Sequence, residues 1–330
     1  MARHKHKGNS ASLVFVLCAA LFFATTPLWA QTYPAKPMKL IVPYPPGAGT
    51  DFVGRLIGIH VSTAMGQPVI VENRGGAAAV VGTDAVAKAP PDGYTLGLVT
   101  STFTMTPSMQ KVPYDPVRDF APVILLAAVP NVLLVHPSLP VMTLPDLLRL
   151  ARRRPGELTY GTSGTGSVPH LATELLRSMV VPGIDIIHVP YKGNAQAIIE
   201  LLGGHISMHI SSMPSAVPFL QNGKLRAIAV TSAQRSSAAP RVPTIAESGV
   251  PGYDFSSEWG LLFPARTPPD IVARLNREVE KILKLAEVKE RLQSQGAQVV
   301  GGSPDEYASV IERNLAKWVK VVRDANIRAE

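Results

Sequence analysis

The chain has 330 residues, of which 46% are hydrophobic and 17% charged, with a formal net charge of +8 and one cysteine, Cys18. That length sustains a core that divides into two domains, and a single cysteine excludes an intrachain disulfide framework. The positive excess is dispersed; its only tight cluster, Arg152 to Arg154, closes the helix-like stretch LPDLLRLA and reads as a solvated helix C-terminus rather than a nucleic-acid patch. At the amino end, Arg3, Lys5 and Lys7 precede the apolar run ASLVFVLCAALFFA (11–24). The run is short for a bilayer span, so residues 1–30 are read as a secretory signal peptide cleaved after Ala30, and the mature chain is expected to be exported. Leu17 is too large for a lipid-attachment site at Cys18, so no thiol remains after cleavage.

Past the leader, short β-branched runs alternate with helix-period stretches. Strands are expected at 38–42, 68–72, 94–99, 121–127, 131–136, 157–161, 184–189, 205–210, 225–231 and 258–264. Such alternation predicts an α/β fold with mostly parallel sheets flanked by helices. Two late helices carry start signals: Thr267 before Pro268 as a cap, and Ser303 before Pro304 with Glu306 completing a capping box. Ile271, Leu275, Val279 and Leu283 recur at the spacing of one buried helical face. The runs at 121–127 and 131–136 are separated by little more than AVP, which reads as a hinge crossing, and the Pro- and Gly-rich stretch 242–255 reads as the return. An inserted domain at 129–253 then sits within an outer domain built from 31–128 and 254–330.

Two loops share one design. PYPPGAGTD (43–51) follows an apolar strand and opens a helix, with Thr50 or Asp51 in the capping role; TYGTSGTGSVPH (159–170) does the same, with Ser167 as N-cap and Pro169 in the first turn. Ligands of open α/β sheets bind outside the carboxyl ends of strands. Helix N-termini present unpaired N–H groups there, so a carboxylate is held without a lysine or arginine. Punctuation by Pro and Gly alone is the competing reading of either loop; one loop in each domain favours binding. Neither loop matches the nucleoside triphosphate pattern, for lack of the lysine, nor the dinucleotide fingerprint, because Phe52 and Pro169 occupy its third glycine position.

Other chemistry is weaker. GTSGT (161–165) misses the G-x-S-x-G elbow of a serine hydrolase at its last position, and no His or Asp is marked as partner; an exported serine hydrolase remains the rival class. His205 and His209, four apart on an expected strand, would stand about 13 Å apart, too far to share a metal; one of them facing the cleft ranks above a metal site. Tyr191, in VPYKG, is placed either to stack on a ligand or merely at a helix entry, and Trp259 is assigned to the core.

Taken together, VPYPPGAGTD, VENRGGAAAVVGTDAVAKAPPDGYTL, YDPVRDFAPV, YGTSGTGSVPHLATE, HVPYKGNAQAIIELLGGHI, GKLRAIAVTSAQR and VPTIAESGVPGYDFSSEWGLLFPARTP resemble, in order and across the mature chain, the Bug family of extracytoplasmic solute receptors of the tripartite tricarboxylate transporter type. The resemblance implies a two-domain Venus-flytrap fold, no enzymatic activity and no cofactor. It implies a monomeric receptor for a small carboxylic acid or amino-acid-like ligand, working with a membrane permease pair and not with nucleic acid. It also implies that loops 44–51 and 161–167 grip a carboxylate through backbone amides, hydroxyls and water. The expected ligand-binding residues are Tyr44, Gly47, Ala48, Gly49, Thr50 and Asp51, with Thr162, Ser163, Gly164, Gly166 and Ser167 opposite, and Tyr191 and His209 beside them. Asp51 is expected to cap its helix or meet a donor, since a like charge repels a carboxylate. The chain departs from the family at Ala48, where glycine is usual, at Gly75, and at Ser207 and His209, where Asp and an aromatic are usual; the last two are expected to shift ligand choice if that strand end faces the cleft.

Overall fold

A computed structural model describes Met1, residues 33–47 and residues 49–327. Apart from Met1, the expected signal peptide, with Cys18, lies outside the described residues, as does Ala48. In the first lobe, β1 (Met38–Val42) pairs in parallel with β2 (Val69–Asn73) and β3 (Thr95–Thr100). The helix α1 (Gly49–Met65) lays Val53, Ile57 and Val61 on that sheet. Its Gly54 permits the close approach: a Cβ there would stand 2.7 Å from Val42 Cγ2. Two short helices, α2 (Val80–Ala87) and α3 (Thr102–Met109), follow β2 and β3.

The runs expected as two strands at 121–127 and 131–136 form one, β4 (Phe120–Val135), of 16 residues. Up to Pro130 it pairs antiparallel with β9 (Ser256–Pro264) and with β10 (Gln298–Gly301); from Asn131 onward it pairs with β7 (Met208–Ser212) and β8 (Arg226–Val230). Pro130 does not break the strand because it sits where one set of partners ends and the next begins, and a missing N–H costs least at the end of a ladder. The hand-over is tied by Asn131 N–H donating to Thr231 Oγ1 (3.0 Å), by Thr231 Oγ1–H and N–H donating to the Asn131 carbonyl, and by Asn131 Nδ2 donating to Ser257 Oγ (3.3 Å).

The second lobe continues the sheet with β5 (Thr159–Thr162), parallel to both β6 (Ile187–Pro190) and β7. Parallel ladders thus build the outer parts of the ten-stranded sheet and antiparallel ones its middle, giving the order β2-β1-β3-β9-β4-β7-β5-β6 with β8 and β10 also on β4. Helices α4 (Leu144–Arg153), α5 (Val168–Met179), α6 (Asn194–Leu202) and α7 (Met213–Gln221) belong to this lobe. The chain then returns through β9 to α8 (Pro269–Lys284), α9 (Ala286–Ser294) and α10 (Pro304–Asp324). The Ser303–Glu306 capping box forms. Thr267 does not cap: the N-cap position of α8 is Pro268, and the Thr267 hydroxyl instead donates back to the Pro264 carbonyl (2.8 Å).

Each lobe has its own apolar core. Leu40, Leu98, Ile124 and Phe263 lie in the first; Leu133, Leu171, Ile210 and Ile228 lie in the second. The carboxyl-terminal helix does not belong wholly to the outer domain, as residues 254–330 were expected to. Tyr307 and Ile311 pack in the first lobe, whereas Trp318, Val321 and Val322, with Ile327 beyond, enter the second-lobe core. The reason is geometric: 21 helical residues extend roughly 30 Å, enough to cross from one core to the next.

Candidate functional site

The first loop leaves the carboxyl end of β1. Tyr44 turns its hydroxyl between Thr100 Oγ1 and Thr102 Oγ1, each 2.7 Å away at the end of β3. Because α1 begins at Gly49, Thr50 and Asp51 lie inside its first turn rather than capping it. The buried Asp51 carboxylate folds back instead and accepts from Gly47 N–H (2.9 Å), Asn73 Nδ2 (3.0 Å) and Arg55 Nε (3.1 Å). Burial opposes its ionisation, but Gly47, Arg55 and Asn73 together hold the carboxyl below the usual range. Asn73 also donates to the Tyr44 carbonyl (3.0 Å), so one amide clamps both ends of the loop. Trp259 is half-buried against the first-lobe core, and its indole N–H reaches Thr50 Oγ1 (3.4 Å).

The second loop leaves the carboxyl end of β5. Thr162 Oγ1 takes the Gly164 N–H and donates to the Gly164 carbonyl; Gly166 N–H donates to His170 Nδ1 (2.9 Å), and Ser167 N–H to the Gly164 carbonyl. Among the described residues, the Ser163 and Thr165 amides carry no such bond. Gly166 needs its left-handed φ of 73°, and a Cβ there would fall 2.5 Å from Met109 Sδ. Ser167 stands at the N-cap of α5, yet its hydroxyl makes no cap bond, and its Oγ is buried with no partner among the described residues.

Between the lobes lies a cavity of about 380 Å³, walled by Ala78, Thr102, Met105, Thr106, Met109 and Gln110 on one side and Thr165, Gly166 and Ser167 on the other. Among the described residues, none in the wall is charged. The first loop reaches it through Thr102, whose hydroxyl bonds Tyr44.

Other expected residues fall elsewhere. His209 is fully buried, with Nδ1 2.8 Å from the Gly161 carbonyl and Nε2 2.8 Å from Asn194 Oδ1; it ties the end of β5 to the start of α6 and presents no surface to a ligand. Burial lowers its pKa to about 4, against the raising effect of the Gly161 carbonyl. Ser207 exchanges hydrogen bonds with Thr159 at the start of β5, the end opposite the loop, so it does not face the cleft. Tyr191 lies over Gly161, within 3.3 Å of where a Cβ would stand, and packs with the apolar cluster under α6. His205 is exposed, outside β7, and pairs with Glu200 (2.9 Å), so it shares no strand with His209. Neither Ser163 nor Ser167 bonds a histidine among the described residues.

Two lobes joined through a shared strand, each with a loop at a strand's carboxyl end, form the architecture of the two-domain periplasmic binding proteins. The model of the tripartite tricarboxylate transporter family receptor matches residues 53–327, and the chain belongs to that family of solute-binding receptors, which are not enzymes. It is 38% identical over 327 residues to protein BugT of Bordetella pertussis, covering 97% of this chain and 99% of that one. It is similar to R. palustris Rpa4515, solved with adipate, at 40% identity and a TM-score of 0.74, covering 90% of this chain and 99% of that one. It is also similar to MatC from Rhodopseudomonas palustris, solved with bound malate, at 32% identity and a TM-score of 0.71, covering 88% of this chain and 100% of that one.

Proposed function

We infer that the protein is a periplasmic receptor, exported by the leader at 1–30, that captures a small carboxylate between its lobes and delivers it to a membrane permease pair. The two lobes of this reading are 31–128 with 254 to about 315, and 129–253 joined by the end of α10. The observation that carries it is the uncharged cavity between the lobes, edged by the second loop and tied through Thr102 to the first. A ligand whose charge is confined to carboxylate ends suits such walls. Its carboxylate takes hydrogen bonds from the Thr165 amide and the Ser167 hydroxyl at the cavity wall and, once the lobes close on it, from the Ser163 amide and the first-turn amides of α1, as helix N-termini provide. Gly47, Gly164 and Gly166 shape the loops rather than donate, because their amides are bonded internally. Ligand touching both loops favours the closed arrangement and so shifts the population towards it.

Met105 and Met109 give the cavity an apolar side, which favours a methylene body over a hydroxylated one. Two further buried methylenes contribute about 1.6 kcal/mol, or roughly fifteenfold in affinity. Calorimetry on the mature monomer is therefore expected to rank adipate above malate, with Ser167→Ala and Tyr44→Phe each weakening adipate. No binding by any small mono- or dicarboxylate, or turnover of an ester lost on changing Ser163, overturns the reading.

A further inference from the structure

The second loop rests on two stacked imidazoles. His170, from α5, and His188, from β6, lie with ring centroids 4.0 Å apart and planes 11° from parallel, and Tyr160 of β5 stacks on His188 at 5.0 Å. One ring holds each end of the loop. His188 Nε2 is 2.7 Å from Thr162 Oγ1, and His170 Nδ1 accepts the Gly166 N–H at 2.9 Å. The registration comes from the sheet, since parallel pairing sets His188 opposite Tyr160. Beneath them, the buried Glu174 carboxylate takes Tyr160 O–H (2.5 Å) and Arg177 Nη1–H (2.7 Å), which fixes the tyrosine and, through it, the stack.

We propose that His170 and His188 are positioning residues that pre-organise the second loop for ligand, and that only the neutral His170 ring, carrying its proton on Nε2, does so. A ring that accepts at Nδ1 cannot be protonated there. Protonation would set an N–H against the Gly166 N–H and a charge against the facing imidazole. The charged and titratable groups around His170 are His188 from β6, Tyr160 from β5, and Glu174 and Arg177 from its own helix. Burial, then His188, then Arg177 lower the pKa of His170 to about 4, in keeping with a neutral ring. With Gly166 pinned inward, the alternate amides of Ser163 and Thr165 remain for a carboxylate.

The proposal rests on the reading of 161–167 as half of a ligand clamp, and its test separates the two. Nitrogen-15 NMR of the ligand-free mature chain is expected to show His170 as the Nε2–H tautomer and the Gly166 amide slow to exchange with solvent; an Nδ1–H tautomer overturns the proposal whatever the chain binds. With adipate as probe, His170→Asn keeps an acceptor where Nδ1 stood and is expected to bind near the wild-type level. His170→Phe keeps the ring but not the acceptor and is expected to lose about tenfold. Equal affinities for the two variants overturn the proposal. Adipate's own titration is common to all variants, so the wild type is expected to lose affinity more steeply than His170→Asn between about pH 5 and pH 3, the range in which a histidine lowered to about 4 titrates. Superimposable profiles also overturn it. Failure of the wild type to bind any carboxylate would refute the functional reading and leave the NMR result to decide the positioning claim.

Discussion

Trp318 tests whether the last helix truly serves the second lobe. The residue is 1% exposed, lies edge-on to Phe255 at 5.4 Å and 81°, and packs beside Val321 and Val322 in the second-lobe core. Truncating a buried tryptophan to alanine costs about 3–5 kcal/mol, and the lost aromatic pair contributes about 0.5–1.5 kcal/mol of that. Against a native stability of about 5–15 kcal/mol this is a large fraction. Trp318→Ala is expected to lower the urea midpoint accordingly, while Trp318→Phe keeps the edge contact and loses less than half as much. Hydrogen exchange read by peptide mass spectrometry gives the location: protection should fall first in α5, β5 and β6. Unchanged stability, or a loss of protection confined to β1, β2 and β3, would refute the assignment of this segment to the second core.

Three further outcomes follow from the electrostatics. His170 and His209 are both lowered to about 4 by burial, so the unfolded chain binds more protons than the folded one between that value and the usual ~6.5; stability should therefore fall on acidification through this window, by up to roughly 3 kcal/mol per histidine, in urea titrations at stepped pH. Asp51→Ala strips acceptors from Gly47, Arg55 and Asn73 and is expected to destabilise by about 1–3 kcal/mol while weakening adipate binding in the same preparation; wild-type affinity would contradict a structured first loop. Burial raises the pKa of Glu258 against the lowering effect of Asn314, so its charge is a cost above the unfolded pKa that disappears as the side chain protonates; Glu258→Gln should raise the melting temperature near neutral pH and cease to do so in acid.

The two loops were legible because their chemistry is local: small residues at a strand end, then a helix start, within about ten positions. The residues that shape them were not. Asn73 reaches Tyr44 across 29 positions and His188 reaches Thr162 across 26, and nothing in either neighbourhood marks these partners before the sheet register is known. Thr100 and Thr102 did carry a signal, since VTSTFT is a third strand end that opens a helix, but it lacks the glycines that drew attention to the others. The proline of AVP concealed that β4 runs unbroken through it. Four-residue β10 has too little periodicity to stand out from the loop around it. His209 misled because four-residue spacing says which face a side chain takes, not whether a helix already covers that face.

The unbroken β4 also limits how such receptors are recombined. Grafting the second lobe of one relative onto the first of another cannot be done at a linker, because the lobes share a strand whose two halves are bonded to different neighbours. A splice at Pro130–Asn131 must match the register of β9 behind it and of β7 and β8 ahead of it, and must bring along the end of α10 from the same parent. Chimeras that change ligand preference are thus better made by exchanging loops on an intact frame than by exchanging lobes.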